Sequence, residues 1–237
     1  IYPATSEDVV ALQSATSVRA WPGLKIVSKA VVTELPDGLR PVRPVASDDP
    51  KTRQFLIQCC DLMLSAEADL NALDAKSGDG DTGSTLAGAA RALMGSLDRL
   101  PLADQTQLLR AIGQELSETM GGSSGVLLAI FFTAAGDAAS SGANLRDSLQ
   151  AGLKRMQQIG GAKVGDRTMI DALDPAIEQL QHGFRAAASA ARAGANRTAD
   201  MLSAKAGRAA YINPEQLRGN IDPGAEAVAR LFEYFAN

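Results

Sequence analysis

The chain contains 237 residues and carries a formal net charge of −4 at pH 7. This negative balance argues against a nucleic-acid-binding domain, because such domains are usually basic. Hydrophobic residues make up 46% of the chain and aromatic residues only 4%, which favours packed helices over a β-sandwich. The length suits one large domain, or one domain with an extended arm.

Two adjacent cysteines, Cys59 and Cys60, stand in an apolar stretch. Neighbouring cysteines rarely form a good disulfide, so we expect free thiols and a reducing, cytoplasmic compartment. No signal peptide opens the chain, and the longest apolar run, residues 126–135, is too short to span a bilayer. We therefore expect no membrane segment. Because the chain begins with Ile1 instead of Met, it is expected to be a fragment or a processed product.

Residues 1–50 differ in composition from the rest of the chain. They combine a β-leaning run, residues 24–35, with several prolines, and they show no helical period. This composition predicts an extended linker or the tail of a preceding domain. A disordered N-terminal arm is the alternative interpretation.

From residue 51 onward, apolar residues recur at intervals of three and four, which is typical of amphipathic helices. The predicted helix at 173–184 contains Asp174 followed by Pro175, where the helix is expected to kink or to start again. The last opens with Asp222 and Pro223, a favourable N-cap and first helical residue. The sequence predicts an all-α domain of about eight helices. These cover residues 55–73, 86–100, 109–120, a run from about 124, 145–156, 173–184, about 195–206, and a run from 222.

Residues 74–85, DAKSGDGDTGST, match the G-x-G-x-x-G pattern of phosphate-binding loops. A dinucleotide-binding fold requires a strand before this pattern, whereas an amphipathic helix precedes it here. No Gly-Lys-Ser/Thr sequence occurs, which excludes a Walker A loop. The EF-hand pattern also fails, because a loop starting at Asp79 would place Ala90 at its twelfth position.

Three carboxylates, Asp74, Asp79 and Asp81, are brought together by this glycine-rich turn. Such groups repel one another unless a cation neutralises them, and Mg²⁺ prefers oxygen ligands and keeps positions for substrate phosphates. The hydroxyl residues that follow, within residues 82–85, open the next helix, where N–H groups and the helix dipole suit phosphate oxygens. The sequence predicts that the carboxylates hold metal and the metal holds phosphate. An exposed acidic turn is the alternative.

Three other glycine-bearing loops also lie at predicted helix ends. The loop at residues 120–125 places Ser123 and Ser124 as cap residues, and the loop at 161–169 carries Lys163 and Arg167. The third joins Arg208 to the cap at residues 222–224. In an up-and-down bundle alternate loops fall at the same end, so the four loops suggest one rim. The one histidine, His182, is expected to be packed or partly exposed and not catalytic.

Four separated stretches occur in an order that resembles the nucleotide-binding (L) domain of dihydroxyacetone kinases, also called glycerone kinases. They are LNALDAKSGDGDTGSTLAGAARAL, MGGSSGVLLAIFFTAA, GAKVGDRTMIDAL and DPGA. The resemblance covers residues 51–237. Residues 1–50 resemble the linker that joins the substrate-binding (K) domain to the L domain in single-chain, ATP-using members of this family.

This resemblance implies an eight-helix antiparallel up-and-down barrel with an extended N-terminal arm and the nucleotide at one end. Asp74, Asp79 and Asp81 match the family's ligands for two Mg²⁺ ions that bridge the ATP phosphates. It implies no catalytic side chain in this chain beyond these metal-bound aspartates. The nucleotide-binding positions it implies are Thr82, Gly83, Ser84, Thr85, Gly122, Ser123, Ser124, Gly161, Met169, Arg208, Asp222, Pro223 and Gly224.

The implied reaction transfers the γ-phosphate of ATP to a hydroxyl of dihydroxyacetone, with glyceraldehyde and other short ketoses or aldoses as further acceptors. In the family the K domain holds the acceptor through a histidine. No K domain is present here, and His182 does not stand in such a motif. The alternatives are a phosphotransferase-system-linked L subunit with bound ADP, which the arm disfavours, and a non-catalytic regulatory or lipid-binding barrel, which the intact aspartates disfavour.

Two further expectations concern association. The extended arm is expected to pass to a second copy of the chain and form a swapped homodimer. The helices are rich in Ala, Gly and Leu, and such small side chains are expected to leave an apolar cavity in the barrel interior for a lipid-like molecule.

Overall fold

The computed structural model of the chain describes residues 5–17 and 44–236, and the chain divides into two compact units, Ile1–Val42 and Arg43–Asn237. The first unit contains helix α1, Ser6–Gln13, which opens with a capping box between Thr5 and Asp8. This helix differs from the expectation that residues 1–50 contain none; the Thr5-x-x-Asp8 spacing was the available signal. The predicted β-leaning run at 24–35 lies outside the described residues.

The second unit is helical over most of its length. Several helices begin at a residue whose side chain accepts a hydrogen bond from the first turn, as at Asp49, Asp104, Asn144 and Asp222. Its helices are α2 (Pro50–Ser65), α3 (Glu67–Asp74), α4 (Thr82–Ser96), α5 (Gln105–Thr119), α6 (Gly122–Ser140), α7 (Leu145–Gly160), α8 (Ile170–Gln179), α9 (Phe184–Thr198), α10 (Pro214–Leu217) and α11 (Pro223–Tyr234).

Helices α2 and α3 meet at Ala66 and together form one long helical segment. With this segment counted as one rod, eight rods in the described residues form a closed ring: α2–α3, α4, α5, α6, α7, α8, α9 and α11. Consecutive rods from α4 to α9 pack against each other. Helix α11 packs against both α9 and α3, and this contact closes the ring. The predicted all-α, eight-helix antiparallel barrel is therefore confirmed. The antiparallel order brings the end of α3 and the starts of α4, α6, α8 and α11 to one end of the barrel.

Two predicted helix boundaries are wrong. The stretch 173–184 was predicted as one helix, but α8 passes through Pro175 and the chain breaks at Gly183, with φ 95° and ψ 167°. The helix predicted at about 195–206 is α9, Phe184–Thr198. Its buried positions are occupied by Ala, Gly and Thr, so its apolar stripe lacks the large side chains that make a helical period visible.

The core is divided between neighbouring helices. Large aliphatic side chains from α2, α4 and α5 pack together on one side, whereas α8, α9 and α11 meet through alanines around Phe232. Small side chains allow close helix approach, and this is clearest at Gly194, where an added Cβ would lie 2.0 Å from the Asp171 carbonyl oxygen. Helix packing in this half of the barrel therefore depends on backbone proximity.

Helix α6 is the one helix in the described segments that is long and apolar enough to cross a membrane, judged by length and composition alone. It packs against both α5 and α7 as a member of the ring. Its contacts are those of a helix within the barrel wall.

Candidate functional site at the aspartate loop

Asp74, Asp79 and Asp81 come together at the end of α3. Their carboxylate oxygens include a set of three, one from each residue, that lie within 4.8 Å of one another. Asp74 is buried, whereas Asp79 and Asp81 are exposed. A buried carboxylate beside two solvent-facing ones provides oxygen ligands that are open on one side, which is the arrangement Mg²⁺ uses when it also binds phosphate.

The loop between α3 and α4 is anchored by Asp74 itself. One carboxylate oxygen, Oδ2, accepts hydrogen bonds from the backbone N–H groups of Asp81 at 2.9 Å and Thr82 at 3.1 Å. A Cβ at Gly78 would lie 2.1 Å from the other oxygen, Oδ1, so a larger residue there would displace the Asp74 carboxylate. Gly80 has φ 80°, a conformation that glycine adopts readily. The glycines of the loop thus allow the chain to fold closely around a carboxylate.

The start of α4 is fastened to α3 by polar side chains that the sequence reasoning missed. Asn71 accepts a hydrogen bond from the Ser84 N–H at 3.0 Å and donates one to the Ser84 hydroxyl at 2.8 Å. The Ser84 hydroxyl also donates to Glu67, which forms an ion pair with Arg91. A Cβ at Gly83 would lie 2.0 Å from the Glu67 carbonyl oxygen. In this structure, the predicted phosphate-binding positions Gly83 and Ser84 therefore hold α4 against α3.

Thr82 and Thr85 occupy the first turn of α4. The Thr85 N–H donates to the carbonyl oxygen of Asp81, the N-cap residue, whose side chain forms no capping bond. Ser77, 2% exposed, places its hydroxyl in the same loop without a hydrogen-bond partner among the described residues. The loop that carries the three aspartates therefore leaves one buried hydroxyl unsatisfied.

Helix α6 begins at Gly122, which has φ 72°, and its N-cap is Gly121. Ser123 and Ser124 were predicted as cap residues, but they lie in the first turn of the helix, and Gly121 is the N-cap. Both serines are exposed. A glycine N-cap provides no capping side chain, so this helix start presents backbone N–H groups to the same end of the barrel as the aspartate loop.

The loop between α7 and α8 is held by two buried carboxylates. Gly161 ends α7 in the left-handed conformation, with φ 74°. Asp171, 1% exposed, accepts hydrogen bonds from the N–H groups of Gly165 at 2.6 Å and Thr168 at 2.8 Å. Asp166 accepts one from the Lys163 N–H at 2.9 Å. The role of Asp171 was missed, although Thr168-x-x-Asp171 is a helix-start pattern.

The start of α11 lies next to the start of α8. A Cβ at Gly224 would lie 3.2 Å from the Met169 Cβ, so these two predicted nucleotide-lining residues are adjacent. Asp222 caps α11 by accepting the Ala225 N–H at 2.9 Å, and its own N–H donates to the Thr198 hydroxyl at 2.8 Å. Pro223 occupies the first turn and is buried.

Burial raises the pKa of Asp222 from 3.8 to about 6, because the charged form loses its hydration. The capping hydrogen bond and the Arg167 guanidinium oppose this rise, whereas the negative charges of Asp171 and Asp74 add to it. The effect of Asp74 shows that the cap of α11 lies within electrostatic range of the aspartate loop. Contacts join the α7–α8 loop to the start of α11, and the aspartate loop and the start of α6 lie at the same end of the barrel by helix order.

Arg208 opens a short 3₁₀ segment, Arg208–Tyr211, in the connection between α9 and α10. This connection reaches the α7–α8 loop, because the Lys205 N–H donates to the Asp166 carbonyl oxygen and Ala206 packs in the same apolar cluster as Met169. His182 is exposed in a 3₁₀ turn after α8, at the opposite end of the barrel.

A surface cavity of about 390 Å³ lies between α3, α9 and α11. Its wall carries charged side chains, including Arg192, Glu226 and Arg230, which form ion pairs with one another. This lining does not match the expected apolar interior cavity, so a lipid-like ligand stays a prediction.

Comparison with known proteins gives consistent relatives. A family model described as the DAK2 domain matches residues 76–237. The dihydroxyacetone kinase of Citrobacter freundii is 53% identical over 175 residues, which cover 72% of this chain and 32% of that protein. The triokinase/FMN cyclase of Mus musculus is 36% identical over 242 residues, covering 93% of this chain and 42% of that protein.

The crystal structure of the C. freundii dihydroxyacetone kinase in complex with AMP-PNP and Mg²⁺ superposes with a TM-score of 0.73 at 38% identity. The match covers 98% of this chain and 42% of that one. The chain thus spans about a third to two fifths of the length of these relatives.

Proposed function

Because the chain belongs to the DAK2 domain family, we propose that it is the Mg-ATP-binding part of a kinase that phosphorylates a hydroxyl of dihydroxyacetone. The observation that carries this proposal is the cluster of Asp74, Asp79 and Asp81 at the start of α4. A relative that binds AMP-PNP and Mg²⁺ has the same fold. The donor set fits a hard divalent cation, since it consists of oxygen ligands that are open on one side.

In this proposal the three aspartates would hold two Mg²⁺ ions, and the chemistry these ions would supply is neutralisation of charge on the transferring phosphoryl group. The starts of α4 and α6 bind phosphate oxygens through backbone N–H groups and the hydroxyls of Thr82, Thr85, Ser123 and Ser124. Gly161, Met169, Arg208 and residues 222–224 line the nucleotide. The chain's own contribution is positioning, because no general base is required of it.

The acceptor is held by a separate K domain, and the class of acceptor is a short ketose or aldose. We place the reaction in the cytoplasm, and the free thiols Cys59 and Cys60 support a reducing compartment. The homodimer formed through the arm remains part of the proposal. An apolar ligand inside the barrel is also part of the proposal. Native mass spectrometry that finds only the mass of the bare polypeptide would contradict the presence of this ligand.

Calorimetric titration of ATP into the chain tests the nucleotide site. We expect ATP to bind in the presence of Mg²⁺ and to bind little in the presence of EDTA. The Asp79→Asn variant should lose the Mg²⁺-dependent part of the binding, because the metal loses one carboxylate ligand. Asp61→Asn, an exposed aspartate on α2, serves as the matched control and should bind as the wild type does.

Phosphoryl transfer is tested with a K domain supplied separately. The Asp79→Asn variant should show no transfer, with helical circular dichroism unchanged. Normal turnover by this variant would refute the metal assignment. A chain that instead retains ADP through purification and is recharged by a phosphoprotein would favour the phosphotransferase-linked alternative.

A further inference from the structure

Arg167, in the loop between α7 and α8, is unusual in both its backbone and its side chain. It is the one non-glycine residue with positive φ, 60°, within residues 5–17 and 44–236. Its side chain is 1% exposed, and Nη2 donates a hydrogen bond to the Asn220 carbonyl oxygen at 2.7 Å. Nε and Nη1 have no hydrogen-bond partner in the described part of the chain.

Both features cost free energy. A non-glycine residue in the left-handed region is strained, and such strain persists where the surrounding structure requires it, often at functional sites. A buried cation with unpaired N–H groups has lost hydration without full compensation. Burial accordingly lowers the pKa of the Arg167 guanidinium, although the Asp222 charge opposes this effect. Two independent costs at one residue indicate a role beyond packing.

The surroundings of Arg167 indicate that role. The bond to Asn220 ties the α7–α8 loop, which ends at Met169, to the segment that leads into the cap at Asp222. Met169 and Gly224 are in contact across this junction. The guanidinium also acts electrostatically on Asp222, which in turn experiences the charges of Asp171 and Asp74. Arg167 is thus a buried positive charge within electrostatic range of Asp222, which also experiences the charge of Asp74 in the aspartate loop.

We propose that Arg167 is a positioning residue for the nucleotide: its guanidinium holds the Met169 loop against the 220–224 segment and offsets the negative charge behind the metal-binding aspartates. The inference rests on the proposed function, because it assumes that these two segments line a nucleotide. It predicts opposite effects of the Arg167 charge on two ligands. The positive charge strengthens the binding of the anionic nucleotide, and it weakens the binding of a divalent cation without nucleotide to the aspartates.

The test measures both ligands in the same variants. In Arg167→Met, Mg-ATP affinity by calorimetry should fall at least about tenfold, because a buried charge and its hydrogen bond are lost. Mn²⁺ affinity without nucleotide, followed by electron paramagnetic resonance, should rise by about threefold or more, because one positive charge leaves the site. Arg167→Lys keeps the charge without the guanidinium fork, so Mn²⁺ affinity should stay at the wild-type value while Mg-ATP affinity falls less than in Arg167→Met.

The control is Arg185→Met, an exposed arginine on α9, which should change neither affinity. A purely structural role would weaken both ligands together and lower the melting temperature in parallel, and that outcome would overturn the inference. If Arg167→Met does not fold, the Lys variant decides: unchanged Mg-ATP affinity contradicts the inference. A wild-type chain that binds no Mg-ATP would refute the proposed function itself, and the inference with it, whereas wild-type binding with unaffected variants refutes only the role of Arg167.

Discussion

At the level of single residues, Asp222 combines two demands. As the N-cap of α11 it must accept the Ala225 N–H, and a carboxylate does this well. It is also 9% exposed and lies within range of two other carboxylates, so its charged form is costly. Arg167 offsets only part of this cost. A residue that caps a helix and has a pKa raised toward neutral pH makes this end of the barrel sensitive to pH.

The raised pKa of Asp222 predicts a pH dependence of stability. Because the folded state binds this proton more tightly than the unfolded state, folding is favoured at low pH, and stability is lost as the pH rises from 3.8 through about 6. Asp222→Asn keeps the cap without titrating. The unfolding free energy of the wild type relative to this variant should therefore fall by up to about 3 kcal/mol between pH 4 and pH 7. Urea denaturation at a series of pH values measures it, and parallel curves for the two proteins would disprove the assignment.

At the level of helices, close backbone contact positions the site. Helices α8 and α9 meet where Gly194 faces the backbone of Asp171, and the Asp171 side chain holds the α7–α8 loop. Helices α3 and α4 meet at Gly83 in the same way, next to the aspartate loop. A helix contact made by glycine thus sets the position of a functional loop at two places in the barrel.

Replacing Gly194 with alanine should separate α8 from α9, because the new Cβ would lie 2.0 Å from the Asp171 carbonyl oxygen. We expect a loss of about 1–3 kcal/mol in unfolding free energy, measured by chemical denaturation. Gly88→Ala is the matched control: this glycine lies within α4 with nothing within 4 Å of an added Cβ. It should gain about 0.5–1 kcal/mol from the lower cost of ordering alanine in a helix. Equal effects at both positions would contradict the packing argument.

At the level of the whole molecule, the ring is closed by charge as well as by packing. Arg192 of α9 pairs with Glu226 and Glu233 of α11, and Arg230 of α11 pairs with Glu226 and with Asp69 of α3. On the opposite end, the Ser47 N–H donates to the Leu100 carbonyl oxygen, and the Ser47 carbonyl oxygen accepts the Leu102 N–H at 3.0 Å. Residues before the predicted boundary at 51 therefore contribute contacts to the helical unit.

Two truncated chains test this boundary. A chain that begins at residue 43 keeps the Ser47 hydrogen bonds and the Asp49 cap of α2, whereas a chain that begins at residue 51 loses both. We expect the shorter chain to be less stable by about 2 kcal/mol, since an N-cap alone contributes about 0.5–2 kcal/mol. Thermal unfolding compares the two chains, and equal stability would support a boundary at 50.

Sedimentation tests the proposed dimer formed through the arm. If the arm forms the dimer, the full chain should sediment with the mass of a dimer and the chain that begins at residue 43 with the mass of a monomer.

The sequence by itself determined the helical class, the aspartate cluster and the start of α11. These follow from local signals: the spacing of large apolar residues, a glycine-rich turn between carboxylates, and Asp followed by Pro at a helix start. It misplaced α9, because alanine and glycine form a buried stripe without a strong period. It also missed Asn71 and Asp171, whose importance depends on what their side chains contact.

Only the tertiary structure decided the electrostatics of the site. The charges of Arg167 and Asp74 act in opposite directions on the pKa of Asp222, although the three residues lie in separate parts of the sequence and no local pattern encodes the distances between them. The structure also gives Gly83, a predicted phosphate-binding position, a packing role, because the α3 backbone lies where a Cβ at this position would be. Burial and proximity are properties of the closed ring, because they arise only when helices from both ends of the chain pack together.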